Sequence, residues 1–460
     1  MRESVRCSTC SEHWVTASKK QRSMPAAREL VAYLDGRRAG TFLQESTGNT
    51  VFVYDEEYRR DPLSTPLSLS MSTAVERHNK RKVLPWLNGL ITDNDAARSA
   101  IAQRFDVNPK NPFAILEHTG ADTPGAVQLL PPGKGSTDAD SDRTAVERLA
   151  DEDVAEQLRL VIDEYRDGTP DARLDQRFSL PGAQPKIALV RDRGEWARAL
   201  GATPTTHLLK PVPPDGFRRV DVVEYLTLTA ASNLGLTTAE FWIEQIGPHR
   251  VFVSKRYDRE PGADGIIRRL HQEDLGQALS TDPAKKYQRR DGGPGIGAVA
   301  TLIRALALSD SQRVQTGWEF FRGVAFNSVA YCTDAHIKNY SMMLDGAHSQ
   351  LAPLYDLNTI APYLDDRSRF GARGEAPQAA MSIDGEYRFD AMSDAGFAKE
   401  AKKLGVDGGR AVDEVRRLRR DLVGAFEIAR DSLVTVDDDT TSFAQEVVDG
   451  VARIPSLTRS

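Results

Sequence analysis

The chain contains few cysteines and no long apolar segment. Its 460 residues include three cysteines, Cys7, Cys10 and Cys332, too few for a disulfide framework and in keeping with a reducing compartment. The most apolar stretch, residues 297–308, is interrupted by Arg304 and falls far short of the ~20 residues that span a bilayer. The N-terminal stretch lacks the apolar core of a secretory signal. A cytoplasmic protein without a membrane segment is therefore expected.

An excess of positive charge is also absent. The formal net charge of -6 argues against electrostatic binding of nucleic acid over the whole surface of the chain. DNA contact would therefore need a local basic patch or a partner protein. With 40% hydrophobic and 27% charged residues, the chain can bury enough apolar surface to fold. Since single cores rarely extend beyond ~250–300 residues, two or three domains are expected.

The N-terminal residues offer one metal-binding pattern. Cys7, Cys10 and His13 have the spacing C-x-x-C-x-x-H, which can supply three of the four ligands of a zinc site. No second cysteine pair follows to complete such a site. Residues 1–26 are therefore expected to form a disordered tail, and no function is assigned to them.

Sequence patterns predict a small N-terminal subdomain followed by a linker. Residues 29–54 alternate apolar and polar side chains around a D-G and a G-N turn, which predicts a β-meander. Helical spacing follows in LPWLNGLI, AARSAIAQRF and NPFAILEH, so an α/β subdomain is expected over residues 27–130. The segment PPGKGSTDADSDR is rich in turn-forming residues and predicts a linker over residues 131–148.

The remaining chain predicts a larger domain over residues 149–433, with strands first and helices later. Strand patterns such as KIALV, THLLK and RVFVSKRYD alternate with helical patterns such as VVEYLTLTAASNLGL and GWEFFRGVAFNSVAYC. Over residues 409–433, one face of a predicted helix carries the apolar residues Val412, Val415, Leu418, Leu422, Phe426 and Ala429. Arginines on its other face indicate a packed helix with a solvated side. Residues 434–460 are expected to be a C-terminal tail.

The strongest functional signal is TDAHIKNYSMML, residues 333–344. Asp334 and Asn339 have the D-x-x-x-x-N spacing of a kinase catalytic loop, in which the Asp accepts the hydroxyl proton and the Asn holds Mg²⁺. Asp356 follows a strand-like segment, where a carboxylate beside an amide oxygen supplies the oxygen ligands that Mg²⁺ prefers. Either acid alone can equally be a turn or capping residue. Together they predict a metal–phosphate site.

A glycine-containing turn is a second candidate element. In RFSLPGAQPKIALV, the small residues Gly182 and Ala183 let backbone N–H groups approach a polyphosphate, and Gln184 or Lys186 can add donors. The sequence is not a Walker A motif, and in isolation it can be a simple hairpin.

A strand lysine and a helical glutamate complete the pattern. Lys210 ends the strand pattern THLLK, where kinases place the lysine that pairs the α- and β-phosphates, and Glu224 on the next helical pattern can orient it. Lysines at strand ends are usually just solvated. The succession of glycine turn, strand Lys, helix Glu, D-x-x-x-x-N loop and Asp after a strand is nevertheless the order of a kinase core.

As a set, the motifs SLPGAQPK, THLLK, KRYDR, HQEDLGQAL, DGGPGI, TDAHIKNYS and PLYDLNT resemble those of the HipA-like serine/threonine kinases of bacterial toxin–antitoxin modules. The likeness spans about residues 27–433. It implies an α+β, bilobal protein-kinase-like fold with an extra N-terminal α/β subdomain and a helical C-terminal lobe. It also implies ATP and Mg²⁺ as cofactors, cellular protein substrates such as aminoacyl-tRNA synthetases, and a small helix-turn-helix antitoxin of the HipB type that makes the DNA contacts.

The resemblance also implies roles for individual residues. Asp334 would accept the proton, Asn339 and Asp356 would bind Mg²⁺, and Ser179 matches the serine that family members autophosphorylate. The implied ATP-binding residues are Pro181, Gly182, Ala183, Gln184, Lys186, Lys210, Lys255, Arg256, Tyr257, His336, Lys338, Asn339, Tyr355 and Asp356. Of these, the three consecutive residues starting at Lys255 would border the adenine.

Three functional classes stay open on the sequence. The first is a protein kinase acting as a growth-inhibiting toxin. The second is a small-molecule phosphotransferase, because sugar and antibiotic kinases use an Asp and an Asn at similar spacing. The third is a non-enzymatic DNA-binding co-repressor. The chain departs from the family at Pro185, where an acidic residue is common, so a stiffer turn is expected because proline fixes φ.

Overall fold

A computed structural model describes residues 28–134, 145–174, 178–201, 203–213, 216–262, 266–365, 376–434 and 437–458. The candidate zinc ligands Cys7, Cys10 and His13 lie outside these residues. The α+β class, the extra N-terminal subdomain and the helical C-terminal lobe are all confirmed. None of the helices that the structure describes is both long and apolar enough to cross a bilayer.

The N-terminal subdomain is an antiparallel five-stranded sheet packed against short helices. Its strands are β1 (Arg28–Leu34), β2 (Arg37–Gln44), β3 (Thr50–Tyr54), β4 (Arg77–His78) and β5 (Val127–Leu130), in the order β4-β3-β2-β1-β5. Its helices are α1 (Glu56–Arg60), α2 (Lys80–Gly89), α3 (Asp95–Arg104) and α4 (Pro112–Thr119). The predicted meander is therefore present. Asn79, Asn94 and Asn111 each cap a helix by accepting a backbone N–H bond.

A six-stranded antiparallel sheet forms the second layer. It contains β6 (Val146–Arg148), β7 (Ile187–Asp192), β8 (Glu195–Ala199), β9 (His207–Pro211), β10 (Phe241–Ile246) and β11 (His249–Lys255), in the order β10-β11-β9-β7-β8-β6. Helices α5 (Asp151–Asp167) and α6 (Val220–Asn233) accompany it. The expected linker over residues 131–148 is thus too long at its C-terminal end, because β6 pairs with β8 and belongs to this sheet.

The C-terminal lobe is mainly helical. Its helices are α7 (Leu275–Ala278), α8 (Gln288–Asp291), α9 (Ile296–Leu306), α10 (Asp310–Val329), α11 (Asp394–Lys403), α12 (Gly408–Ser432), α13 (Asp438–Ala452) and α14 (Pro455–Thr458). Small sheets pair β12 (Arg259–Pro261) with β13 (Ile267–Arg269), order β14 (His271–Asp274), β15 (Ser341–Asp345) and β16 (His348–Leu351), and pair β17 (Gln378–Ile383) with β18 (Glu386–Arg388). Short 3₁₀ turns cover Pro283–Lys285, Ile337–Asn339, Ala361–Tyr363 and Phe389–Ala391.

Two expectations for the C-terminal helices need correction. In α12 the core face is as predicted except at Val412, which is only half-buried, while Ala411 is buried in its place. Residues 434–460 were expected to be a tail, but α13 packs Phe443 and Val447 into the main core. The sequence pattern did not predict α13, because its first turn is acidic and its apolar face begins only after that turn.

A buried ionic cluster joins the N-terminal subdomain to the end of β11. Asp122 Oδ1 lies 2.8 Å from Arg259, and Asp122 Oδ2 lies 3.3 Å from Arg256. Asp258 pairs with both arginines at 2.9 and 3.0 Å and accepts the backbone N–H of Gly125 at 2.6 Å. Burial alone would disfavour a charged Asp122, but the surrounding guanidinium groups outweigh it and lower its pKa. The junction therefore depends on matched buried charges.

We expect Asp122→Ala to lower the free energy of unfolding by about 3–5 kcal/mol, because it leaves buried guanidinium groups without their counter-charge. The matched control is Asp163→Ala, which removes a half-buried carboxylate paired with Arg159 and Arg166 on the solvent side of α5 and should cost less than about 1 kcal/mol. Urea unfolding of both variants against the parent chain measures the difference. Equal losses would contradict the structural role of the junction.

Candidate active site

Lys210 joins three elements of the fold through two carboxylates. Its ammonium, on β9, lies 2.7 Å from Glu224 Oε1 on α6 and 3.1 Å from Asp356 Oδ1 in the segment after β16. The strand pairing of Lys210 with Phe252 places the ammonium above that aromatic ring. The sequence predicted the Lys210–Glu224 pair, and the structure adds Asp356 as a second partner.

The protonation states in this cluster are set by burial and by neighbouring charge. Burial raises the pKa of Glu224 to about 7, although Lys210 opposes the shift. Burial disfavours the charged form of Lys210, yet Asp356 and Glu224 outweigh it and raise its pKa. Burial likewise opposes ionisation of Asp356, but Lys210 and Lys186 lower its pKa. At neutral pH the cluster holds a charged lysine and an ionised Asp356.

The backbone at Asp356 is strained. Its φ of 55° lies in the left-handed region, which costs a non-glycine residue roughly 1–3 kcal/mol. The segment before it is fixed, because Leu354 forms a parallel bridge with Thr238 and exchanges backbone hydrogen bonds with Thr237 and Ala239. Such strained backbone conformations persist where contacts from the surrounding structure hold them in place, often at functional sites.

The predicted catalytic loop surrounds Asp334. Asn339, at the end of a 3₁₀ turn, donates its amide N–H to the backbone oxygen of Asp334 at 2.7 Å, which leaves the amide oxygen available as a ligand. The imidazole of His336 lies 3.9 Å from Asp334 Oδ1, and burial lowers its pKa to about 3, so it is neutral. The side chain of Asp334 is 55% exposed. Desolvation by the surrounding groups nevertheless raises the pKa of its carboxyl, although the hydrogen bond from Tyr287 opposes the shift.

The N-terminal subdomain holds the glycine turn. The carbonyl of Gly182 accepts hydrogen bonds from Thr92 Oγ1 at 2.9 Å and from the backbone N–H of Asp93 at 3.2 Å. Lys186 donates to the carbonyl of Pro181 at 2.8 Å, across the turn. A Cβ at Gly182 would lie 2.5 Å from Lys186 Nζ, and its φ of 107° also requires glycine. The turn thus brings Lys186 toward Lys210 and Asp356.

Ser179 is buried beside this turn. Its hydroxyl donates to the backbone oxygen of Leu90 at 2.8 Å, and its backbone N–H donates to the backbone oxygen of Asp122 at 3.0 Å. Only 4% of Ser179 is exposed. In this arrangement the hydroxyl is not accessible for modification.

Other residues in the predicted ATP-binding set have partners outside the cluster of Lys210, Glu224 and Asp356. Lys255 forms an exposed pair with Glu240 at 2.7 Å, and Arg256 is buried in the ionic junction, so neither side chain lines the cluster. Tyr257 donates to Gln272, and its ring centroid lies 6.0 Å from that of Tyr355. Along the turn Ala183 is exposed, while Pro181 and Gln184 are half-buried.

Two residues that the sequence did not single out also meet the site. Both carboxylate oxygens of Asp93 accept from Lys338, at 2.7 and 2.8 Å, and one also lies 3.2 Å from Lys286. Lys338, predicted to bind ATP, is therefore already paired across the domain boundary. The hydroxyl of Tyr287 donates to Asp334 Oδ1. In the sequence, Asp93 has the pattern of a helix-start residue and Tyr287 lies in a polar stretch.

Family models match both parts of the chain. The model of the HipA N-terminal domain matches residues 30–130, and that of the HipA-like C-terminal domain matches residues 178–426. The second match alone covers more than half of the 460 residues. The predicted resemblance, which rested on seven short motifs, is confirmed.

Named relatives cover nearly the whole chain. A putative kinase of Sinorhizobium fredii, Y4mE, is 31% identical over 90% of this chain and 93% of its own length. The serine/threonine-protein kinase toxin HipA of Shewanella oneidensis is 26% identical over 90% of this chain and 92% of its own. The structure of that organism's toxin–antitoxin complex of HipA, HipB and operator DNA superposes with a TM-score of 0.75 at 22% identity, over 92% of this chain and 95% of the other. The predicted bilobal fold is confirmed.

We expect Lys210→Met to weaken binding of Mg²⁺-ATP by about 10- to 100-fold, the range for losing a hydrogen bond to a charged group. Part of the lost pairing is offset, because Glu224, whose pKa burial already raises to about 7, can take up a proton. Isothermal titration calorimetry measures the affinity. The control is Lys399→Met, which removes an exposed lysine paired with Asp384 and should leave binding unchanged. Equal affinity in the two variants would contradict a phosphate contact by Lys210.

Proposed function

This chain belongs to the HipA-like kinase family, and from that membership we propose that it transfers the γ-phosphate of ATP to serine or threonine hydroxyls of a cellular protein. The observation that carries the proposal is Lys210, whose ammonium bridges Glu224 and Asp356. Kinases use this lysine–glutamate pair to hold the α- and β-phosphates. A surface lysine would need neither a buried glutamate nor a second carboxylate.

Asp334 is the proton acceptor in this proposal. Its exposed carboxylate takes the proton of the acceptor hydroxyl as the hydroxyl oxygen attacks the γ-phosphorus, and the bond to the leaving ADP oxygen breaks. Asn339 orients the loop through its bond to the backbone of Asp334. Lys210 and Lys186, which lie close enough to influence each other's charge, neutralise phosphate charge in the cleft.

The donor set fits a magnesium ion that shares its coordination with phosphates. Asp356 offers a carboxylate and Asn339 an amide oxygen, and Mg²⁺ commonly takes one or two protein oxygens while retaining waters and phosphate oxygens. Among the described residues, no cluster of three or more His, Cys, Asp or Glu side chains forms a protein-only metal site. Bound Mg²⁺ would supply charge neutralisation for the transferring phosphoryl group.

A toxin role with a protein partner completes the proposal. The relative from Shewanella oneidensis is named as a toxin kinase, and its solved complex contains HipB and operator DNA. We assign to this chain a small helix-turn-helix antitoxin of the same type, which carries the DNA contacts because the net charge here is -6. An aminoacyl-tRNA synthetase is the proposed class of protein substrate, on family resemblance.

The experiment that tests the activity uses purified protein, Mg²⁺, γ-labelled ATP and a bacterial lysate. We expect label in protein, and we expect Asp334→Asn to slow transfer by ~10²–10⁴-fold, the usual contribution of a positioned base. The matched control is Asp384→Asn on the surface, which should transfer at the parental rate. Label in a metabolite would favour a small-molecule phosphotransferase. Absence of both transfer and ATP binding would favour a non-enzymatic co-repressor.

Autophosphorylation of Ser179 is expected to switch the enzyme off. A phosphate adds about −1.5 to −2 charge at neutral pH, and the site that now buries the hydroxyl against Leu90 cannot hold it. The segment must leave, and the hydrogen bonds from Thr92 and Asp93 to Gly182 break with it.

Mass spectrometry after incubation with Mg²⁺-ATP should find phosphate on Ser179 in the parent chain and none in Asp334→Asn. The phosphorylated form should bind ATP at least tenfold more weakly than Ser179→Ala, which keeps the segment uncharged. Full ATP affinity in the phosphorylated protein would refute the switch even if the modification were present.

A further inference from the structure

The carboxylate of the proposed base has one hydrogen-bond partner within the described parts of the chain. The hydroxyl of Tyr287 donates to Asp334 Oδ1, and His336 approaches the same oxygen at 3.9 Å. No hydrogen bond from any described residue reaches Asp334 Oδ2. One carboxylate oxygen is therefore held by the protein while the other stays open.

The half-buried ring of Tyr287 has charged and aromatic neighbours on two sides. The guanidinium of Arg290 lies 4.0 Å from the ring centroid on one face, and the imidazole of His336 meets the ring edge-on at 5.0 Å. The backbone of Tyr287 is also fixed, since its carbonyl accepts from the N–H groups of Asp291 and Gly293, and its N–H donates to the side chain of Asp291. Tyr287 is thus part of a built structure rather than a side chain free to swing.

The glycine-rich sequence after Tyr287 explains this rigidity. A Cβ at Gly293 would lie 2.1 Å from the backbone oxygen of Lys285, so only glycine allows the chain to fold back onto the residues before Tyr287. A Cβ at Gly295 would meet the side chain of Gln288, which accepts a hydrogen bond from the backbone of Ser382 at 2.9 Å. Within the described chain, the hydrogen bonds of the DGGPG motif go to its own loop and to the start of α9, and its close packing serves the loop that carries Tyr287.

We propose that Tyr287 is a positioning residue for the phosphoryl transfer reaction, fixing one oxygen of Asp334 so that the other faces the acceptor hydroxyl, and that Gly293 acts through it by folding its loop. The proposal rests on the proposed function, in which Asp334 is the base. It follows the general arrangement in which a catalytic base is itself oriented by a further hydrogen-bonding group. In this role the hydroxyl of Tyr287 stays unmodified, and no phosphoryl group is transferred to it.

Tyr287→Phe removes only the hydroxyl and tests the proposal. With the full chain, Mg²⁺, labelled ATP and lysate protein, we expect kcat to fall about 10- to 100-fold while the KM for ATP stays within twofold, because the ATP contacts are untouched. The matched control is Tyr58→Phe, which removes a hydroxyl bonded to the backbone of Thr65 in the N-terminal subdomain and should leave both constants unchanged. A general structural defect would instead change KM and kcat together.

Gly293→Ala provides a second test. The added methyl cannot fit against Lys285, so the loop shifts and kcat should fall by a similar factor. In the double variant with Tyr287→Phe, the two losses should not multiply, because both act through the same hydroxyl. Losses that multiply fully would overturn the assigned role of Gly293.

Three outcomes would overturn the role of Tyr287. An unchanged kcat in Tyr287→Phe would show that the hydroxyl does not position the base. A raised kcat would show that Tyr287 blocks the acceptor position, and labelled phosphate on Tyr287 itself would show that it is an acceptor. Absence of transfer in the parent chain would instead overturn the proposed function and this inference with it, so the two failures are distinguishable.

Discussion

The shared ammonium of Lys210 is the constraint on which the rest of the site depends. A lysine with only 12% of its side chain exposed requires compensating charge, and that charge comes from α6 and from the segment carrying Asp356. β9, α6 and the segment after β16 must therefore meet at the ammonium of Lys210. The strained backbone of Asp356 follows from the same requirement, since it turns the carboxylate toward the lysine.

The N-terminal subdomain contributes directly to the geometry of the cleft. Residues 178–182 are held at both ends by this subdomain, through a bridge from Asp122 to Phe178 and another from Thr92 to Gly182. Asp93, beside the second bridge, neutralises Lys338 within the loop that carries Asp334 and Asn339. The glycine turn is thus supported from outside the kinase lobes. Any event that loosens the subdomain acts on the turn and on the catalytic loop together.

The sequence predicted local structure, but it did not reveal side-chain pairings between residues far apart in the chain. Hydrophobic periodicity and turn residues located the meander, most helices before residue 434 and most strands. The order of motifs predicted one site for Lys210, Glu224, Asp334, Asn339 and Asp356, and the structure joins Lys210, Glu224 and Asp356 in one cluster. The pairing of Lys338 with Asp93 joins residues 245 positions apart, and no local pattern marks it. The family resemblance implied that Arg256 borders the adenine, whereas its side chain pairs with Asp122, which lies 134 positions away. A charged side chain does not reveal in sequence whether it faces solvent or a buried counter-charge.

The ionic junction around Asp122 also limits how such a chain can evolve. Its carboxylate comes from the N-terminal subdomain, while Arg256, Arg259 and Arg269 come from the segment after β11. Recombination at the intervening linker between two relatives with different charge pairs would place unmatched charges in a buried site, at a cost of several kcal/mol. The two parts are therefore expected to be inherited as a unit, and substitutions on one side should be followed by compensating substitutions on the other. Gene shuffling would more readily exchange surface helices than break the chain at the linker between the two parts.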